Sequence, residues 1–262
     1  MPRSKARDRG LQQNRMERIG TLELLRRYPV KSMAGEELTK ARVTFAGLAG
    51  DRVYAFAQNG HRSNFPWMTA RQAHEMILFR PRYLDPLSAE DEHPDAEAYA
   101  AEVMTPEGET FQLDDPAFLK YMEHRFGRPL RLRFSERSMT NSRPVSLFGL
   151  ATLRALSEET GMALDARRFR ANFYARWDPW DNDRPFFEDE FAGRELQIGD
   201  TLLLQVVKKN TRCPIITLDP ENAAPSPGVL ENVTRNHGGC AGIYCAVLRE
   251  GIARVGDPIC LV

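Results

Sequence analysis

The sequence predicts a mainly β, α+β fold with barrel-like β-rich units and few helices. Three observations carry this reading. Short alternating or apolar runs recur between turn signals along both ends of the chain, and only two stretches hold apolar residues at helical spacing. Two Gly-Asp turns, Gly199-Asp200 and Gly256-Asp257, each open an apolar run, as in a small barrel. Strands this close together leave no room for the crossover helices of a βαβ series.

Taken in order, residues 1–18 are polar and basic without hydrophobic period, a tail. Thr21 to Tyr28 alternates loosely and stops at Pro29; Leu38 to Phe45 alternates again. Arg52 to Gln58 runs into Asn59-Gly60, a hairpin turn signal. Pro86 to Ala98 is acidic and proline-bearing, a solvated loop, and Tyr99 to Leu113 reads as a hairpin about Pro106-Glu107-Gly108. Asp114 to Phe126 spaces Phe118, Tyr121, Met122 and Phe126 helically and stops at Gly127; Leu130 to Phe134 is a strand. The polar stretch from Ser135 to Arg143 marks a boundary between a unit over 19–135 and one over 136–262. Val145 to Glu159 reads as the second helix, with Leu147, Leu150, Leu153 and Leu156 on its apolar face. Arg168 to Phe173 alternates as a strand, Thr201 to Val207 and Ile243 to Leu248 read as strands, and Glu221 to Gly239 is a long loop.

Equal numbers of basic and acidic residues, 36 each, argue against a general nucleic-acid or anionic-membrane binder. The four cysteines include no C-x-x-C pair, so they form neither a zinc framework nor a disulfide scaffold. That points to a reducing, cytoplasmic setting. No apolar run reaches the roughly 18 residues of a membrane span.

Cys213 stands just past a strand, behind Lys208, Lys209 and Arg212. Neighbouring cations favour a thiolate, which can attack an electrophile or bind a soft metal; the alternative is a cysteine packed as a small hydrophobe. On a strand, Arg168, Arg170 and Asn172 share one face and could grip a phosphate and a heterocycle edge, or simply face solvent. Lys31 and Ser32 follow a strand end. A nucleophile pair of Cys213 with His237 is a further option, whereas Cys240, Cys245 and Cys260 read as core residues.

Thr211-Arg212-Cys213-Pro214, with Thr217, Asp219 and Pro220 following, resembles the cysteine motif of the MOSC-domain family, named for the C-terminal domain of molybdenum-cofactor sulfurase. Tyr28-Pro29-Val30-Lys31-Ser32, Gly47 to Arg52, and Thr69-Ala70-Arg71-Gln72 resemble, in order, motifs of the N-terminal β-barrel domain that accompanies it, and Arg168-Phe169-Arg170-Ala171-Asn172 resembles a pterin-contacting motif. The match spans nearly the whole chain and resembles the mitochondrial amidoxime-reducing component and its bacterial relatives. It implies a MOSC β-barrel domain at 136–262 packed with the N-terminal domain at 19–135. It also implies a molybdenum cofactor (Mo-molybdopterin) held by Lys31, Ser32, Arg52, Arg71, Arg170 and Asn172, with Cys213 as metal ligand and catalytic residue. Asn210 departs from relatives that carry a second cysteine there. No cysteine cluster suits an iron–sulfur centre, so a reductase would take electrons from separate proteins. Three functions follow: an oxidoreductase acting on small N-hydroxylated substrates, a carrier passing sulfur or cofactor from Cys213 to an acceptor enzyme, or a metal-free cysteine nucleophile. Neither nucleic acid nor membrane is expected as a partner.

Overall fold

The computed structural model describes residues 16–60, 65–92, 94–178 and 184–262. Seven strands, β1 (Glu17–Arg27), β2 (Val145–Gly149), β3 (Phe173–Trp177), β4 (Glu195–Ile198), β5 (Leu202–Thr211), β6 (Cys240–Arg249) and β7 (Pro258–Leu261), form a closed barrel. The order around it is β1, β3, β2, β6, β5, β4, β7 and back to β1. Closure removes the unpaired edges that an open sheet must protect. Leu22, Leu25, Phe173, Trp177, Leu204 and Val206 fill the interior. Strand alternation sorts the faces: Phe173, Ala175 and Trp177 of β3 point inward, while Tyr174 between them packs into a separate outer core. The two Gly-Asp turns lie side by side, Gly199 N–H donating to Pro258 O at 3.0 Å, and feed strands that share the barrel.

The first barrel strand comes from the N-terminal part of the sequence, so a cut at residue 135 runs across this barrel. Strand Lys40–Thr44 likewise pairs with Gly251–Arg254. The N-terminal β-rich region adds a three-stranded antiparallel sheet of Arg80–Tyr83, Ala101–Met104 and Thr110–Gln112, and the pair Tyr54–Gln58 with Leu130–Phe134. The chain does reverse after Asn59-Gly60, Gln58 N–H donating to Pro66 O at 2.8 Å, although part of that reversal, 61–64, lies outside the described residues. Helix α1 (Pro116–Phe126) begins where Asp115 accepts from Ala117 N–H at 2.7 Å and ends at Gly127 with φ of 62°. It buries Phe118 and Met122 against Phe56, Phe79 and Met76, the second core.

Three secondary-structure expectations are corrected. The stretch Val145 to Glu159 is not one helix: Val145–Gly149 is the fully buried strand β2, and α2 (Leu150–Thr160) starts only after it. A short, mostly apolar run suits a strand buried on both faces as well as a buried helix turn, so periodicity does not separate them. Barrel closure decides for the strand, and because β2 and β3 are parallel, α2 is the crossover their pairing requires. Arg168 to Asn172 is not a strand either. Ala166–Phe169 is a 3-10 turn opened by Asp165, and Arg170 follows at φ of 52°, so Arg168, Arg170 and Asn172 share no face. Helix α3 (Pro227–Asn236), within the expected loop, packs Val229 and Val233 against Leu156 of α2 and Phe169.

At the junction of β2 and α2, buried Glu188 accepts from Gly149 N–H and Thr152 Oγ1, both at 2.9 Å. A Cβ on Gly149 would stand 2.4 Å from Glu188 Oε2 and 2.7 Å from Trp177 Nε1. Gly149→Ala is therefore expected to destabilise the protein by about 1–3 kcal/mol, read as a lowered denaturant midpoint at unchanged slope. A midpoint equal to wild type would show that the carboxylate is free to give way.

Candidate functional site

A cavity of about 120 Å³ opens between the barrel and the N-terminal region, and Lys31, Ser32, Arg52, Arg71, Arg170 and Cys213 all line it. Cys213 sits on the turn leaving β5, which runs further than the sequence pattern indicates, to Thr211. Arg212 N–H donates to Gly239 O at 2.8 Å and Ile216 N–H to Cys213 O at 3.2 Å, pinning the turn on both sides of a half-buried thiol. Cys245 is buried in the barrel, where burial pushes its thiol up to about 12; Cys240 and Cys260 are only half-buried.

The other walls depend on strained backbone. Five non-glycine residues among those described have positive φ, and three of them, Ser32 (70°), Arg52 (52°) and Arg170 (52°), line this cavity. Such conformations cost about 1–3 kcal/mol each and persist where the surroundings enforce them. Asp51, fully buried, enforces one: it accepts from Tyr28 N–H at 2.9 Å and from Arg52 Nη1. Arg52 Nη2 donates to Arg170 O at 2.8 Å, and the Arg52 and Arg170 guanidiniums lie 4.6 and 4.4 Å from the Tyr28 ring. Lys31 Nζ donates to Met139 O at 2.7 Å and Asn141 Oδ1 at 2.6 Å.

No Asp or Glu is among the lining residues, and the cations outnumber any neutralising group within the wall. Burial, with the Arg52 charge beside it, lowers Arg170 to about 10, still a cation at neutral pH. Arg212, lowered by burial too, donates to Phe169 O at 3.1 Å and lies 5.2 Å from the Phe169 ring. Asn210, with its amide oriented to suit its neighbours, accepts from Arg212 Nη1 at 2.9 Å and donates to the Tyr244 hydroxyl at 3.2 Å. Arg212, Arg143, Asn141, Thr69 and Tyr244 also line the cavity, and the sequence pattern does not mark them as site residues. Arg212 carries a signal as the neighbour of Cys213, and Thr69 opens the motif that holds Arg71; Arg143, Asn141 and Tyr244 are isolated polar residues in loops or strands.

Asn172, unlike the other six, does not line the cavity. Its Oδ1 accepts from Ser146 N–H at 3.2 Å and Ser146 Oγ at 3.1 Å, and its Nδ2 donates to Arg26 O at 3.3 Å. The amide ties β1 to β2 from beneath, and Ser146 takes the place at the surface. His237 does not join Cys213 either. Its Nε2 is 2.8 Å from Glu159 Oε2 and its ring stacks on Phe186 at 3.9 Å.

The MOSC domain model matches residues 135–260, and the MOSC N-terminal beta barrel domain model matches 19–116. The chain belongs to the MOSC family. That family is associated with the molybdenum cofactor. Among solved structures, the YuaD protein from Bacillus subtilis matches at 15% identity over 94% of this chain and 97% of its own, with a TM-score of 0.50. YiiM from Geobacillus stearothermophilus matches at 19% identity over 46% of this chain and 54% of its own, TM-score 0.35. No curated protein matches the chain significantly. The YuaD likeness is one of fold, and the seven-strand barrel is the MOSC barrel. No helix among the described residues is long and apolar enough to cross a membrane.

The residues of this MOSC cavity fit an anionic, soft-metal group. Thr69 Oγ1, Arg170 Nη2 and Arg212 Nε are buried without hydrogen-bond partners among the described residues, and unpaired buried groups of this kind are expensive unless something answers them. Among the described residues no cluster of three or more His, Cys, Asp or Glu could hold a metal by itself, so a metal on Cys213 needs further ligands from a non-protein group. At 120 Å³ the cavity takes one end of an organic cofactor; whole-ligand sites run to about 300–1,000 Å³, so full entry needs the walls to part.

Lys31 gives the site a pH dependence. Burial, reinforced by Arg52, Arg170 and Arg71, pulls its ammonium down to about 7. The folded protein thus releases this proton near pH 7 while the unfolded chain keeps it to lysine's ordinary range, so stability contributed by Lys31 rises with pH between the two. An anion in the cavity favours the protonated form. Sulfate, whose charge is constant there, is expected to bind with proton uptake above pH 7 and to weaken by up to about tenfold per pH unit. Calorimetry at about pH 6 and 8 in two buffers checks this; equal affinity at both would remove Lys31 from the anion site.

Proposed function

We propose that this cavity holds the molybdenum cofactor (Mo-molybdopterin), with Cys213 as thiolate ligand to the metal, and that the protein is an oxidoreductase acting on small N-hydroxylated substrates. The observation that carries this reading is a carboxylate-free cationic wall converging on one half-buried thiol. Lys31, Ser32, Arg52 and Arg71 supply donors for the phosphate, and Arg170, over the Tyr28 ring, supplies a donor edge for the pterin. When bound, the group supplies a two-electron redox centre. The chain's own contribution is to hold the ligand thiolate in a positive field, to neutralise the phosphate, and to keep carboxylates away from both. In the net reaction the N–O bond breaks, two electrons and two protons enter, and water leaves. Nothing in the lining supplies electrons, so separate electron-transfer proteins are the proposed partners. The test is NADH-coupled turnover of an amidoxime by cofactor-loaded protein with a reductase chain added; inertness of fully loaded wild type would refute the activity.

A second reading is a carrier, in which Cys213 holds a persulfide or the cofactor for transfer to an acceptor enzyme. It is favoured by the small cavity, which leaves the thiol partly accessible. Mass spectrometry should then find one extra sulfur atom on Cys213, or a cofactor that moves to an acceptor. Repeated absence of both would discard it.

A further inference from the structure

Behind Arg170 lies a second and larger cleft, of about 630 Å³, which shares Arg170 and Ile215 with the Cys213 cavity. Its volume falls in the range of about 300–1,000 Å³ that small-molecule sites occupy. One side is the sheet of Arg80–Tyr83, Ala101–Met104 and Thr110–Gln112; the other is the end of β1 and the turn around Arg168. Its floor includes Ile77, Ile215 and Leu218. Six arginines reach the wall against three glutamates.

Most of those charges are already matched. Arg26 pairs with Glu37 at 2.8 Å, Arg168 with Asp219 at 2.8 Å, and Arg82 with Glu102. Arg170 has no ion pair among the described residues; its guanidinium lies over the Tyr28 ring, 4.4 Å from the centroid. Arg26 Nε, Arg168 Nε and Arg170 Nη2 are buried N–H donors with no acceptor among the described residues. Native proteins leave few such donors, and three occur on arginines of one cleft.

We propose that this cleft is a second ligand site, for a small organic anion with an apolar body whose charged head is held at Arg170. A guanidinium fork suits a carboxylate or a phosphate monoester, and the Ile77, Ile215 and Leu218 floor takes an aromatic or aliphatic body. The site needs neither Cys213 nor a metal, although it shares Arg170 with the proposed pterin site.

The experiment is calorimetric titration of the purified full chain with 2-naphthoate, and with 2-naphthylmethanol as its uncharged counterpart. The acid is expected to bind one to one and the alcohol at least tenfold more weakly. Met104→Glu places a like charge at the exposed mouth of the cleft and should weaken the acid at least tenfold; Thr110→Glu, also exposed, serves if that variant fails to fold. Arg71→Ala, on the exposed rim of the Cys213 cavity alone, should leave the affinity unchanged. The proposal is overturned by absence of binding, by equal affinity for acid and alcohol, by indifference to the mouth substitutions, or by a loss in Arg71→Ala as large as in Met104→Glu.

Discussion

Cys213→Ala, produced in a host that makes the molybdenum cofactor, is expected to lose at least about nine-tenths of the metal that wild type retains, because it removes the one cysteine lining the cavity. The thiol is half-buried and makes no hydrogen bond among the described residues, so its removal should change stability by about 1 kcal/mol or less. Metal analysis beside thermal unfolding separates the two effects. Cys240→Ala is the control: Cys240 faces Thr211 Oγ1 at 3.7 Å, does not line the cavity, and should keep its metal. Wild-type metal content in a folded Cys213→Ala protein would remove the thiolate from the site. Equal loss in both variants would mean that the β5–β6 pairing, not the Cys213 ligand, governs retention.

Asp51→Ala should be among the most damaging single changes, destabilising by about 3–5 kcal/mol. The carboxylate is fully buried, and its removal leaves the Arg52 charge uncompensated and the Tyr28 N–H without its acceptor. It also frees the two elements that aim Arg52 and Arg170 at the cavity, so sulfate affinity should fall with stability. Asp51→Asn, which can still accept from Tyr28, should be milder. Urea unfolding with calorimetric titration of sulfate checks both. A loss below about 1 kcal/mol in Asp51→Ala would show that Arg52 finds another partner or solvent.

Much of the site is legible in the sequence. Lys31, Ser32, Arg52, Arg71, Arg170 and Cys213 lie in short contiguous strings, and all six reach one cavity. Such strings are readable because a turn and its chemistry are encoded together: Tyr28-Pro29 ends a strand just before Lys31, and Gly50-Asp51 turns the chain before Arg52. The positive φ of Ser32, Arg52 and Arg170 is not legible, because no glycine marks it; the fold imposes it through contacts such as Asp51 to Tyr28. Asn172 matches its motif by position, yet its side chain is occupied by Ser146, a partner far away in sequence.

Local pattern and composition are enough for the β-rich class, the α1 helix with its Gly127 stop, the MOSC likeness, and the residue types that could meet a phosphate and a soft metal. These properties survive any arrangement of the rest of the chain. Long-range contacts are what make Val145–Gly149 a strand, let β1 close a barrel built from the other end of the chain, and stand Arg170 between two cavities. Each of these depends on pairing or burial between segments distant in sequence, and a local pattern that suits two conformations is resolved only by the partner it packs against.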